Sequence, residues 1–233
     1  MDDAREQLLR EKGLGVFGAI TASLSHEINN VFAIINELSG LLDDFFHAAE
    51  NGTQLDMEEL RGTTKRIATQ VERGHEYVVQ LNRFAHTADE KQTTVRLNET
   101  VEAMAILCRR FGKLRQVELE TSLPATSPGI EAGAFDVQHL IFRGIDIALD
   151  ASRQGDVIQI GVESQDDGAR LIFACSSALE SPGELESKRD FLTVLVAAMQ
   201  GSVEAIIQTG QPVRLEVTLP HSLVPLPDGV ALE

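Results

Sequence analysis

The chain has 233 residues, 43% of them hydrophobic, with a formal net charge of -16 and a sequence pI near 4.7. This length allows one large domain or two small ones with a packed core, while the charge excludes nucleic acid and anionic membrane as main partners. No apolar run reaches the roughly 18 residues that a membrane helix needs, so no direct membrane insertion is expected.

The two cysteines, Cys108 and Cys175, stand in apolar surroundings. They read as reduced core residues and fit a cytoplasmic protein. From about Glu6 to Ala49 the pattern predicts one helix, roughly 65 Å long. Its apolar residues fall at Phe17, Ile20, Leu24, Ile28, Val31, Ile35, Leu38, Leu42 and Phe45. Steps of three and four make one buried helical seam. Gly13, Gly15 and Gly18 weaken the first third, and Asn51-Gly52 stops the helix. A second helix starts at Asp56, with Glu59 at capping-box spacing, and runs to about His86. Its seam is expected through Leu60, Ile67, Val71, Val78, Leu81 and Ala85. Its outer face is expected to carry Arg61, Lys65, Arg66, Arg73 and Arg83. A lone hairpin cannot cover both seams, so a second copy is expected, giving a homodimeric four-helix bundle.

Near Ala88 the texture changes, and Asp89-Glu90-Lys91-Gln92 reads as a polar joint. A short strand is expected at Val95–Leu97, then a helix from Asn98 to Phe111 with Asn98 as N-cap. Val117–Leu123 is strand-like, and Phe135–Ser152 is helical. Val157–Glu163 and Arg170–Cys175 form a hairpin around Asp166-Asp167-Gly168. A helix over Lys188–Gln200 ends at Gly201. A second hairpin joins Val203–Gln208 to Val213–Leu219. The fold class is therefore α+β: residues 1–88 a helical hairpin, 92–222 an α/β sandwich with helices on one face, and 223–233 a loose tail.

The segment that invites chemistry is Ser25-His26-Glu27-Ile28-Asn29-Asn30. His26 lies two residues from both Leu24 and Ile28, so it sits roughly 200° from the seam and faces outward. Asn30, Ala33 and Glu37 lie within about 45° of His26 around the helix and form one stripe with it. The small Ala33 leaves room for a partner's helix. His47, His75, His86, His139 and His221 have no such context. No metal-ligand cluster and no catalytic triad pattern is found.

Ala22-Ser23-Leu24-Ser25-His26-Glu27-Ile28-Asn29-Asn30 resembles the phosphoacceptor box of bacterial sensor histidine kinases, with Val31 where that family usually has proline. The order of pieces after it resembles the rest of that family's transmitter region, including the ATP-binding sandwich. The resemblance implies that His26 is a phosphoacceptor and that Glu27 orients its ring or acts as a base. It also implies that Asn30 positions water for dephosphorylation. The nucleotide motifs are degenerate. Ile147 stands where the family offers asparagine to magnesium. Cys175-Ser176-Ser177-Ala178-Leu179 lacks the aspartate and glycines expected after that strand, and no glycine lies in Ser187–Phe191. Phosphate loops depend on such glycine conformations.

The reading that follows is a dimeric histidine phosphotransferase without ATP use of its own. It would exchange phosphoryl groups with aspartates of response-regulator receiver domains. No resident cofactor or metal is expected, since Mg2+ comes with the partner receiver domain. Residues Asn30, Ala33 and Glu37 would meet that partner. Two alternatives stay open: a pseudokinase scaffold module, or a sensor histidine kinase with a divergent ATP site.

Overall fold

The structure, a computed structural model, describes residues 2–87 and 92–223. The expected joint at 88–91 and the tail at 224–233 lie outside the described residues. Helix α1 spans Asp2–Glu50 and α2 spans Met57–His86. Helix α1 runs unbroken through Gly13, Gly15 and Gly18. It stops as expected: Gly52 takes a φ of 89°, and the Thr53 N–H donates to Ala48 O at 3.0 Å. Only a residue tolerant of the left-handed region closes a helix this way. Asp56 caps α2 by accepting from the backbone N–H groups of Glu58 (2.8 Å) and Glu59 (3.3 Å).

The chain packs as two units. One is the hairpin Thr21–Arg83; the other joins Met1–Ile20 to Phe84–Glu233. This division cuts the chain elsewhere than the change of texture at Ala88.

Within the hairpin, Leu24, Val31 and Leu38 are buried, and Ile28, Ile35, Leu42 and Phe45 are half-buried. Helix α2 departs from expectation. Its buried line is Thr63, Tyr77 and Phe84, with half-buried Gln70 between them, a seven-residue step. Val71 and Val78 are 54% and 43% exposed, together with Phe32 and Phe46 on α1. Of the expected seam, Leu60, Ile67, Leu81 and Ala85 are half-buried and only Val71 and Val78 are exposed; counting apolar residues passes over Thr63 and Gln70, which share the inward face.

In the other unit, strands β1 (Thr93–Arg96) and β3 (Gly129–Ala132) pair antiparallel as a small sheet. Strand β3 was not expected. Helix α3 is Leu97–Arg115, β2 is Glu118–Ser122 and α4 is Ala134–Ala151. They are followed by β4 (Val157–Gln165), β5 (Gly168–Ala178), α5 (Leu185–Ala198), β6 (Ser202–Ile206) and β7 (Pro212–Pro220). The main sheet has the order β2-β4-β5-β7-β6, with β2 and β4 parallel and the other pairs antiparallel. Ile158, Ile160, Leu171, Phe173, Leu215 and Val217 point from one face and are buried beneath the helices. Asn98 is not the cap of α3: Arg96 holds that position, and the Asn98 side chain donates to Pro124 O at 2.8 Å. Leu223, expected in the loose tail, is buried and donates its N–H to Glu131 O at 2.7 Å.

Helix α4 is the centre of this unit. Gly144 lets it approach β5, since a Cβ there would collide with the Phe173 ring. A ring series joins α1 at Phe17 to the sandwich: Phe17 stacks on Phe84 at 5.3 Å, followed by Phe135, His139 and Phe191 at 6.1–6.2 Å steps. His139 is 1% exposed, and burial, aided by the neighbouring Arg143 charge, pushes its pKa down to about 3. Unfolded, the imidazole protonates near 6.5. Between these values the unfolded chain binds the extra proton, so stability falls as pH drops below about 6.5. We expect the stability of wild type relative to His139→Gln to decline by about 1 kcal/mol per pH unit there. Urea denaturation of both proteins between pH of about 7 and 5 measures it; parallel pH curves would refute the assignment.

Candidate functional site

His26 stands on α1 as an exposed side chain. Asn30, Ala33 and Glu37 are exposed as well, so all four lie on the open side of the helix. Glu27 does not. One residue is about 100° of rotation, and this carries Glu27 into the seam beside Leu24 and Val31, where it is 8% exposed.

The buried carboxylate is received by α2. Its Oε2 accepts from the Tyr77 hydroxyl at 3.0 Å and from Arg73 Nη2 at 3.0 Å. Arg73 also donates to the Tyr77 oxygen through Nε (3.1 Å) and Nη2 (3.0 Å). Its guanidinium lies 5.5 Å from the centre of the Tyr77 ring. The hydrogen bond to Tyr77 raises the Arg73 pKa against the opposing effect of burial, and Glu27 adds to the rise. Burial raises that of Tyr77. Arg73 therefore leaves the solvated face on which the sequence placed it. The signal that could have found it is Arg73 and Tyr77 at i and i+4, a fork and a hydroxyl able to meet one carboxylate from a facing helix.

The three positions with a nucleotide resemblance are occupied by internal structure. Ile147 is 1% exposed in the core. Its neighbours Asp146 and Asp150 share Lys188, whose Nζ lies 2.8 and 2.5 Å from their oxygens. Burial opposes the Lys188 charge, but the two aspartates hold its pKa above the usual value. The Ser176 and Ser177 hydroxyls both donate to Asp156, which also accepts the Arg153 N–H at 2.8 Å. Burial disfavours the Asp156 charge, yet these donors hold its carboxyl below the ordinary range. The glycine-free Ser187–Phe191 stretch lies within α5. The Lys188 clasp has no signature in local spacing, because its partners lie about 40 residues away. Among the described residues no group of three or more His, Cys, Asp or Glu side chains is placed to hold a metal ion. No described helix is long and apolar enough to cross a membrane.

No family model and no curated protein matches the chain. Among solved structures it is similar to the Acinetobacter baumannii histidine kinase AdeS, at 13% identity over 79% of this chain and 95% of that one, with a TM-score of 0.47. It is also similar to the catalytic domain of histidine kinase ThkA, at 15% identity over 57% of this chain and 99% of that one, with a TM-score of 0.49. A structure of ThkA in complex with response regulator protein TrrA gives 18% identity over 94% and 66% of the chains, with a TM-score of 0.47. The likeness is one of fold.

The Glu27 knot generates a stability prediction. Arg73→Met keeps the apolar stem and removes the guanidinium bond to the buried Glu27 carboxylate. Losing a charged partner at a buried group costs about 1–3 kcal/mol. Chemical denaturation of the variant should show a loss in that range; an unchanged midpoint would mean that the knot contributes nothing.

Proposed function

We propose that the protein is a histidine phosphotransferase of two-component signalling, with His26 as phosphoacceptor. The observation that carries this reading is the exposed imidazole at His26, on a helix whose rotation is held by the buried Glu27 directly beside it. Imidazole is an effective nucleophile near neutral pH. Its ring nitrogen attacks the phosphorus of a receiver aspartyl phosphate. An N–P bond forms, the P–O bond to the carboxylate breaks, and the ring sheds its N–H proton to solvent. The reverse step returns the phosphoryl group. The receiver brings Mg2+ to the reaction. Asn30, Ala33 and Glu37 form the receiver's landing stripe, and Asn30 holds water for the slow loss of phosphate. Glu27, engaged with Arg73 and Tyr77, acts by fixing the helix around His26.

The reading without ATP use is supported by the three occupied positions: buried Ile147, the Ser176 and Ser177 donors on Asp156, and the Lys188 clasp. The homodimer is supported by the apolar surface that the single hairpin leaves open, including Phe32, Val71 and Val78. A second copy would cover it and complete a four-helix bundle.

Incubation with phosphorylated receiver domains should label the wild type and leave His26→Gln unlabelled. The label should be acid-labile and base-stable, as a phosphoramidate is. ATP with Mg2+ alone should label neither protein. His26→Gln should change stability by less than about 0.5 kcal/mol, since the side chain is exposed. Equal labelling of both proteins, or of neither by any receiver, would remove the phosphotransfer reading; labelling from ATP alone would restore the kinase.

For assembly, light scattering of the wild type at micromolar concentration should give twice the chain mass. Ile28→Glu places a charge among half-buried apolar side chains and should shift the protein to monomer. A wild-type monomer would end the bundle model.

A further inference from the structure

A cavity of about 620 Å3 opens between the Glu11–Ala19 stretch of α1 and helices α3 and α4. That volume falls inside the range of roughly 300–1,000 Å3 of small-molecule sites. Phosphoryl transfer at His26 makes no use of it. Its apolar wall includes Val16, Phe111, Phe142, Ile145 and Leu149. Phe111 and Phe142 meet edge to face at 5.7 Å, so this wall is preformed. On the α1 side stands Gly15, where an added Cβ would meet nothing within 4 Å. The space therefore begins at the helix backbone.

The charges around the cavity do not cancel. Asp146 is bound by Lys188 at 2.8 Å, and Arg115 pairs with Asp150 at 2.8 Å. Arg143 forms no ion pair among the described residues, and Asp146 acts on it only at longer range. Its guanidinium is nonetheless fixed. Nε donates to His139 Nε2 at 3.2 Å and Nη2 to Lys12 O at 2.9 Å, above the Phe191 ring at 5.1 Å. Beyond the paired groups, the charged residues lining the cavity are Arg143, Lys12 and Glu11, which leaves one net positive charge. The whole chain carries -16, so a net-positive apolar cavity runs against its composition. A fixed, half-buried guanidinium next to an apolar wall is matched by a single anionic head on an apolar body.

We propose that this cavity binds a small amphipathic monocarboxylate, with its carboxylate on Arg143 and its body against Phe111, Phe142 and Leu149. Calorimetric titration of the full chain with decanoate tests this, with decanol as the uncharged counterpart. Decanoate should bind one per chain, at least about tenfold more tightly than decanol. Gly15→Leu fills the open space without a clash and improves helix propensity. It should abolish decanoate binding while the melting temperature holds or rises. Arg143→Gln should weaken decanoate at least about tenfold and leave decanol unchanged. Absence of saturable decanoate binding by the wild type, undiminished binding by a folded Gly15→Leu, or equal affinity for decanol would each overturn the proposal. None of these outcomes depends on His26.

Discussion

The rotation of α1 about its own axis is set by one carboxylate. Glu27 must reach Arg73 and Tyr77, and only one azimuth of the helix allows it. Everything else on that turn follows from the 100° step between residues. Leu24 and Val31 turn into the seam; His26, Asn30, Ala33 and Glu37 turn out. Apolar seams alone tolerate small rotations, because methyl groups repack at little cost. A carboxylate, a guanidinium fork and a phenol have directional bonds and do not. The residue next to the exposed histidine thus contributes to the site by being buried.

The sandwich is organised around α4 in a similar way. Gly144 brings the helix against Phe173, which turns Ile141, Ile145 and Ala148 into the core. The same rotation carries Asp146 and Asp150 to Lys188 on α5. Carboxylates at i and i+4 repel one another, and the shared ammonium offsets that repulsion while tying two helices together. Asp156 does the equivalent for the sheet, gathering the Ser176 and Ser177 hydroxyls of β5 and the loop after α4. Asp146, Asp150, Lys188, Asp156, Ser176 and Ser177 are thereby committed to holding the fold.

Periodicity made the long elements legible. The steps of three and four from Phe17 to Phe45 mark α1, and Asp166-Asp167 between alternating runs marks the β4–β5 hairpin. Periodicity could not find β3. Four residues, Gly129–Ala132, carry too little alternation, and their partner β1 lies over 30 residues away. The inward face of α2 was legible only in part, through Leu60, Ile67, Leu81 and Ala85, for a different reason. Its buried line includes Thr63, whose hydroxyl donates to Glu59 O at 3.0 Å, so a polar residue is satisfied locally and can face inward. Val71 and Val78 look like core by composition but face outward. For the site, the stripe of His26 was visible from spacing, whereas the destination of Glu27 required the facing helix. Likewise His139 looked featureless in sequence; its place in a line of rings comes from Phe84, Phe135 and Phe191 meeting across three helices.

The seven-residue line of Thr63, Gln70, Tyr77 and Phe84 constrains how this chain can change length over evolution. Loss of a single residue between Thr63 and Tyr77 would turn the upper half of α2 by about 100° relative to the lower half. Tyr77 would then leave Glu27, and an exposed residue would enter the seam. Loss of seven residues turns it by only about 20°, so whole heptads can be removed or added if both arms change together. Lineages of this hairpin should therefore drift in length by sevens, in matched pairs.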